Sequence, residues 1–331
     1  MLYWPVSPMG FPNRPQYMPP QGADPPQAGQ PGTLVYTGIA TIRGATGFRM
    51  PVYESPSAEG AAIGYLVVGG YVPHFIATDD HAWLQVTLHN GNQGWMRNDP
   101  AHVTVWMPEP AKVRVCIDPG HGGPEDTGAA ASGLVEKDVN FDIAYWKLRP
   151  LLLADKRIDR VWYTRNGDYD VSLRYRWDLA NASGPALFLS VHQNGNPDPN
   201  MRGTETYYKC GTEGTPSIDA MSKRAGCLTQ LALRDQINGW GSPTCPWVDQ
   251  GVSCRLVSET DRRSYYYVLQ NTNFPAILAE CLYLTNPGDA ACLKSDRFRQ
   301  FLAEGLYKGI TDTLFTTAPG DTCSFRTLYG L

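Results

Sequence analysis

Two kinds of hydrophobic pattern divide the chain. Between residues 33 and 106 the apolar positions come in short runs, LVYTGIATIR, AAIGYLVVG, YVPHFIAT, WLQVTLH and QGWMRN, rich in β-branched and aromatic residues. Gly, Asn, Asp and Pro punctuate them at close intervals, the pattern of short strands forming a small all-β barrel. From Val113 the periods alternate. VRVCID is an apolar strand ending at a glycine cluster, and Asp138 to Ala154 places Val139, Ile143, Trp146, Leu148, Leu151 and Leu152 on one broad helical stripe. VWYT reads as a short strand, Leu173 to Asn181 as a short helix, ALFLSVH as a buried strand and GTETYYK as a more exposed one. Ile218 to Gln236 and Arg297 to Leu314 have amphipathic helical spacing, with the buried strand PAILAEC between them. Alternating strands and helices predict an α/β fold with an open, mostly parallel sheet and helices on both faces.

Composition adds two terminal segments. Residues 1–32 carry nine of the 27 prolines and predict an extended or disordered arm. The expected organisation is therefore 1–32 arm, 33–106 small β domain, 107–315 α/β domain, and 316–331 a tail without an assigned role. The net charge is -4 and lysine is absent before Lys112, so no basic stripe suits nucleic acid or an anionic membrane. No run has the apolar length of a membrane span. The first residues, MLYWPVSPMGFPNRPQYMPP, lack the basic and apolar regions of a secretory signal, which predicts a cytoplasmic chain until lysis, a pore or another export route releases it.

All eight cysteines lie from Cys116 onward. Cys116 and Cys281 sit in apolar runs and are expected in the core. Cys210, Cys227, Cys245 and Cys254 cluster, and one bridge, two or none are all compatible with their spacing. Without a CxxC pair, a structural zinc knuckle is not expected.

The α/β segment holds two of the six histidines, His121 and His192. Each is expected at the carboxyl end of a buried strand, and Glu280 ends PAILA in the same way. Crevices in open α/β sheets lie beyond those strand ends. Catalytic zinc takes three protein ligands and keeps a position open. His121 and His192 supply two imidazoles. Glu136, at the start of the helix after the His121 loop, supplies the carboxylate, which a helix N-terminus favours. Gly120, Gly122 and Gly123 let the loop turn tightly around His121. Asn194 is placed to orient water or substrate. Glu280, with no ligand role, is left as the general base and then acid for amide cleavage. Taken singly, each residue has a plainer reading: a hydrogen-bonded loop histidine, a helix-start acid, a buried ion-pair partner. The combination is what points to a metal hydrolase.

The motifs carrying these residues resemble those of the zinc-dependent N-acetylmuramoyl-L-alanine amidases. In order they are Ile117-Asp118-Pro119-Gly120-His121-Gly122-Gly123, Glu136-Lys137-Asp138-Val139-Asn140 and Thr164-Arg165 with Asp168, Ser172-Leu173, Arg176 and Ala180-Asn181. Leu189-Ser190-Val191-His192 with Asn194, Arg202-Gly203-Thr204-Glu205 and Pro275-Ala276-Ile277-Leu278-Ala279-Glu280, running on to Leu284-Thr285-Asn286, complete the series. The resemblance spans about Val113 to Leu314. It implies zinc on His121, Glu136 and His192, Glu280 as catalytic carboxylate, and cleavage of the amide between N-acetylmuramic acid and L-alanine in peptidoglycan. The loop after His121 is one residue longer than usual, so Glu125 or Asp126 takes its acidic position. Between Lys209 and Ser264 the match is weak. Residues 33–106 resemble a bacterial SH3-like domain through Pro56-Ser57, Ile63-Gly64-Tyr65-Leu66, Trp83-Leu84-Gln85-Val86 and Asn90-Gly91-Asn92-Gln93-Gly94-Trp95, with Ala82 where Gly is usual. That implies a cell-wall anchor. The build resembles a phage endolysin, with a host autolysin or spore-wall enzyme as the alternative. Hydrolysis of a different amide and a non-catalytic wall-binding role are the competing functions.

Overall fold

A computed structural model describes residues 33–78, 82–106, 113–212, 214–241 and 247–330. The proline-rich segment 1–32 and Cys245 lie outside the described residues. Two compact units emerge. The described residues before Val113, together with Gly167–Gly184, form one; Val113–Asn166 and the described residues from Pro185 onward form the other.

The first unit contains β1 (Thr33–Ile42), β2 (Arg49–Tyr53), β3 (Gly64–Val67), β4 (Tyr71–Thr78), β5 (Trp83–Thr87), β6 (Gln93–Arg97) and β7 (Val103–Trp106). These pair antiparallel in the order β3-β2-β6-β5-β4-β1-β7. Alternation along the strands buries Ala40, Ile42, Val52, Leu66, Leu84, Val86 and Met96 in one core. The helix Leu173–Ser183 groups with this unit, although its sequence lies inside the α/β segment. Hydrogen bonds account for that: Thr87 Oγ1 donates to Asp178 Oδ2 at 2.5 Å, and the Tyr175 hydroxyl to the Tyr71 carbonyl at 2.9 Å. Neither was visible in a periodicity.

The second unit is built on β8 (Arg114–Pro119), β11 (Arg160–Tyr163), β12 (Leu187–Asn194), β13 (Thr204–Tyr208), β14 (Asp249–Leu256), β15 (Ala276–Tyr283) and β16 (Phe325–Tyr329). A two-residue hairpin, β9 (Ala130–Ala131) with β10 (Leu134–Val135), precedes the first helix. The sheet order is β11-β8-β12-β15-β13-β14-β16, parallel except for the β13–β15 pair. The fold is thus α/β with a mostly parallel sheet. Residues 316–331, expected as a tail, supply its edge strand β16.

Helices α1 (Glu136–Phe141) and α2 (Arg149–Ala154) flank a π-helical turn, Asp142–Leu148. The wider turn interrupts the predicted stripe and leaves Trp146 exposed. In chain order α3 is the Leu173–Ser183 helix, followed by α4 (Pro216–Trp240), α5 (Tyr267–Asn271), α6 (Pro287–Leu293) and α7 (Asp296–Phe315). Val139, Ile143, Leu233, Leu302 and Leu306 from the long helices share one core with Ile117, Leu189, Val191, Ile277, Ala279 and Cys281 of the strands. These strand residues alternate with Asp118, Ser190, His192 and Glu280, which therefore occupy the opposite face. Within this unit the long helices cover one face, and the short α5 lies on the other, where Lys209 Nζ donates to the Leu269 and Gln270 carbonyls.

Disulfides join Cys210 to Cys254 and Cys227 to Cys323. The second reaches outside the cluster considered from the sequence, because β16 returns beside α4. Cys116 and Cys281 are buried free thiols, as expected. Among the described residues no helix is long and apolar enough to cross a membrane.

Candidate metal centre

The chain leaves β8 at Pro119 and turns at once. His121 has φ 59°, a left-handed conformation unusual for a residue with a Cβ, and Gly122 and Gly123 follow at 145° and 73°. Surrounding groups hold the turn. Arg165, 1% exposed, donates Nε to the Pro119 carbonyl at 2.8 Å and Nη2 to those of Gly120 and Lys137 at 3.1 and 2.7 Å. Asn140 Nδ2 adds a bond to the Gly120 carbonyl at 3.3 Å.

Glu136 opens α1 and is buried. Its Oε2 accepts from the Ala129 amide at 2.8 Å. Its Oε1 lies 3.2 Å from His121 Nε2 and 3.0 Å from His192 Nδ1. One ligand atom from each of His121, Glu136 and His192 falls within 4.8 Å of the others. Close glycines make room. A Cβ on Gly120 would stand 2.2 Å from His192 Nε2, and one on Gly128 would stand 2.4 Å from Glu136 Oε2.

Electrostatics follow from the pairing. Burial alone would lower the pKa of His121, but hydrogen bonds to Asp126 and Glu136 override it and raise the value to about 9. Burial would raise Glu136, yet the two imidazoles hold its carboxyl far below the usual carboxylate range. Two imidazoles facing a carboxyl held toward its ionised form make a donor set of the kind a divalent cation completes, with N and O ligands suited to zinc.

Glu280 sits beside this cluster. It is the register partner of His192 across β12 and β15, so both side chains share one face. It lies inside β15 rather than at its end, since the strand continues to Tyr283. Burial, then the negative charges of Glu136 and Glu205, push its pKa well above normal. Its Oε2 is buried without a hydrogen-bond partner in the protein, as befits a group kept for another molecule. Asn194, two residues past His192 on β12, accepts from the amide of Gly195 through its Oδ1. Of the two acids left open by the longer loop, Asp126 takes the place, 2.5 Å from His121 Nδ1. Its role could have been anticipated, because metal-binding imidazoles commonly donate their other nitrogen to a carboxylate.

Residues 115–312 match the family model described as N-acetylmuramoyl-L-alanine amidase. The chain belongs to that amidase family. Its amidase segment is 34% identical over 200 residues to an endolysin of Bacillus phage SPP1, covering 60% of this chain and 65% of that protein. It is 32% identical over 195 residues to the N-acetylmuramoyl-L-alanine amidase LytC of Bacillus subtilis, covering 59% of this chain and 34% of that one. The match thus spans less than two thirds of either relative. An N-acetylmuramoyl-L-alanine amidase structure from Clostridium difficile 630 superposes with TM-score 0.52 at 30% identity, over 62% of this chain and 99% of the other. Cwp6 from the same species gives TM-score 0.54 at 29% identity, over 62% of this chain and 30% of its own.

Proposed function

We propose that this protein hydrolyses the amide between N-acetylmuramic acid and L-alanine in peptidoglycan. One observation carries the reading: His121, Glu136 and His192 converge as a ligand set, with the buried, unpartnered Oε2 of Glu280 beside them. Zinc, held by those three residues, would supply Lewis-acid polarisation of the scissile carbonyl and acidify the attacking water. Glu280 takes the proton from that water and returns it to the departing L-alanine amine. Its raised pKa suits a carboxyl that must hold a proton between the two steps. Asp126 fixes the orientation of His121, and the Arg165 and Asn140 contacts fix the loop that carries it.

The all-β unit is proposed to be an SH3-like wall anchor, raising the local concentration of substrate around the enzyme. An amidase acting at the bacterial wall fits the Cys210–Cys254 and Cys227–Cys323 disulfides, since such bonds persist outside a reducing cytoplasm. The SPP1 endolysin among the relatives favours release during phage lysis. LytC supports the alternative of a host wall enzyme.

The test is mass spectrometry of purified peptidoglycan after digestion, with and without a zinc chelator. Stem peptides carrying a new L-alanine amine, lost on chelation and restored by zinc, are expected. An intact muramoyl–alanine linkage with zinc-loaded protein would overturn the reading.

A further inference from the structure

The polar face of the α/β sheet continues past the metal centre. Glu280 is flanked on one side by His192 and on the other by Glu205, its register partner on β13. Directly opposed residues on neighbouring strands project from the same face. Glu205 is 4% exposed. Two buried carboxyl groups side by side are costly unless one is compensated, and here Glu205 is the one supplied with partners. Its Oε1 accepts from Ser253 Oγ at 2.7 Å and Arg326 Nη2 at 2.5 Å, while its Oε2 accepts from the Tyr207 hydroxyl at 2.7 Å. Ser253 and Arg326 are themselves register partners on β14 and β16. The row therefore crosses five strands, from the metal ligand His192 to the edge of the sheet.

Arg326 comes from the C-terminal segment. It lies beyond residue 312, where the family match ends. The segment is attached twice, by β16 pairing with β14 and by the Cys227–Cys323 disulfide three residues before Arg326. Its guanidinium is the one cation bonded to Glu205 among the described contacts.

We propose that Arg326 is a positioning residue for Glu280, acting through Glu205. The C-terminal strand supplies the counter-charge that holds the Glu205 carboxylate toward β14 and β16. Glu280 then keeps its place beside His192 with Oε2 turned to no protein group. Without the guanidinium, Glu205 keeps its Ser253 and Tyr207 donors but loses its counter-charge, and the buried carboxylate opposite Glu280 displaces it. This inference rests on Glu280 being the acid and base of the proposed reaction.

The experiment uses the full, zinc-loaded chain and a soluble N-acetylmuramoyl-peptide. Glu280→Gln is assayed first and separately; if it keeps wild-type turnover, the functional reading fails whatever Arg326 does. Arg326→Met is expected to lower kcat about tenfold, with KM, zinc content and melting temperature near wild type. Removing both charges, in Glu205→Gln with Arg326→Met, is expected to restore kcat to within about threefold, as coupling within one pair requires. Arg326→Lys, which keeps the charge, is expected to retain most of the turnover and covers the case in which Arg326→Met does not fold. Unchanged kcat in Arg326→Met would overturn the proposal. So would a double variant no more active than the single one, or an Arg326→Lys variant as impaired as a folded Arg326→Met.

Discussion

Each unit draws a histidine out of water, His89 into a buried site and His121 into a half-buried one, and the outcomes are opposite. His89, in the all-β unit, is 7% exposed and packs against Tyr169 and Tyr175, with ring centroids 5.4 and 4.3 Å away. Loss of water around it lowers its pKa to about 3. His121, in the α/β unit, also loses water, yet its value rises to about 9 because Asp126 and Glu136 grip both ring nitrogens. Burial alone gives a neutral ring that serves packing. A fixed anion on each side gives an oriented ring that belongs to a charged donor set. In the proposed function, what separates the site histidine from the packing one is the placing of carboxylates, and Glu280 extends the same logic to a group whose Oε2 has no protein partner.

The strongest way to break this comparison is to remove the free carboxyl and the structural histidine in parallel. Glu280→Gln is expected to cut turnover on the order of 10³-fold, as loss of a general acid–base does, with zinc content unchanged. His89→Leu is expected to leave turnover within about twofold, because nothing it touches in its own unit is part of the ligand set. Comparable losses in the two variants would erase the distinction.

Acid stability sharpens it. His89 is protonated more readily unfolded, near 6.5, than folded, near 3. Its contribution to stability is therefore present above pH 6.5 and lost as pH falls toward 3. Asp178 in the same unit has its pKa raised to about 6 by burial and works in the opposite sense, so the wild-type curve alone hides the effect. The difference between variants isolates it. His89→Leu is expected to gain on wild type by about 1.4 kcal/mol per pH unit below 6.5, or about 3 kcal/mol by pH 4. Urea unfolding at pH 7, 5.5 and 4 measures this, and a pH-independent difference would show that His89 is not held neutral.

A smaller effect comes from the room around His192. Gly120→Ala puts a methyl group where Nε2 of His192 stands, 2.2 Å from the ideal Cβ. The ring is anchored through Nδ1 to Glu136 and must tilt. Zinc affinity is expected to fall about tenfold, the range seen when a ligand loses its orientation. Gly60→Ala, whose Cβ meets nothing within 4 Å, is the control and should bind zinc as wild type does. Competition with a chromogenic chelator reads both.

Much of this was legible in the sequence, and the gaps have physical causes. Strand identity came from apolar runs, and the candidate site residues from polar side chains stationed near the ends of β8 and β12, at the start of α1 and on β15. The π turn at Asp142–Leu148 was not legible, because an apolar stripe over three turns reads the same with one wider turn inside it. Nor was β16: FRTLY is short, half-exposed and alternates weakly, and it becomes a strand because β14 offers it an edge and Cys323 ties it to α4. Helix α3 reads as part of the α/β segment by position, yet its Asp178 accepts from the Thr87 hydroxyl and its Tyr175 hydroxyl donates to the Tyr71 carbonyl. Partnerships made at sequence separations near one hundred leave no local period to detect.

The smallest expected effect returns to His121. In the metal-free protein its pKa is raised by Asp126 and Glu136 to about 9 from an unfolded value near 6.5. A raised base stabilises the fold fully below pH 6.5 and loses that contribution as pH climbs through about 9. Metal-free protein should therefore weaken on the alkaline side where His89 weakens its own unit on the acid side. The loss is expected on the order of 1 kcal/mol, since the imidazole and its partners share one network and relax together. Asp126→Asn removes one of the two anions and should flatten the decline between pH 7 and 9.5, read by thermal melting after chelation. If that variant and the parent fall together, the anions around His121 are not what distinguishes it from His89, and burial depth would have to carry the difference instead.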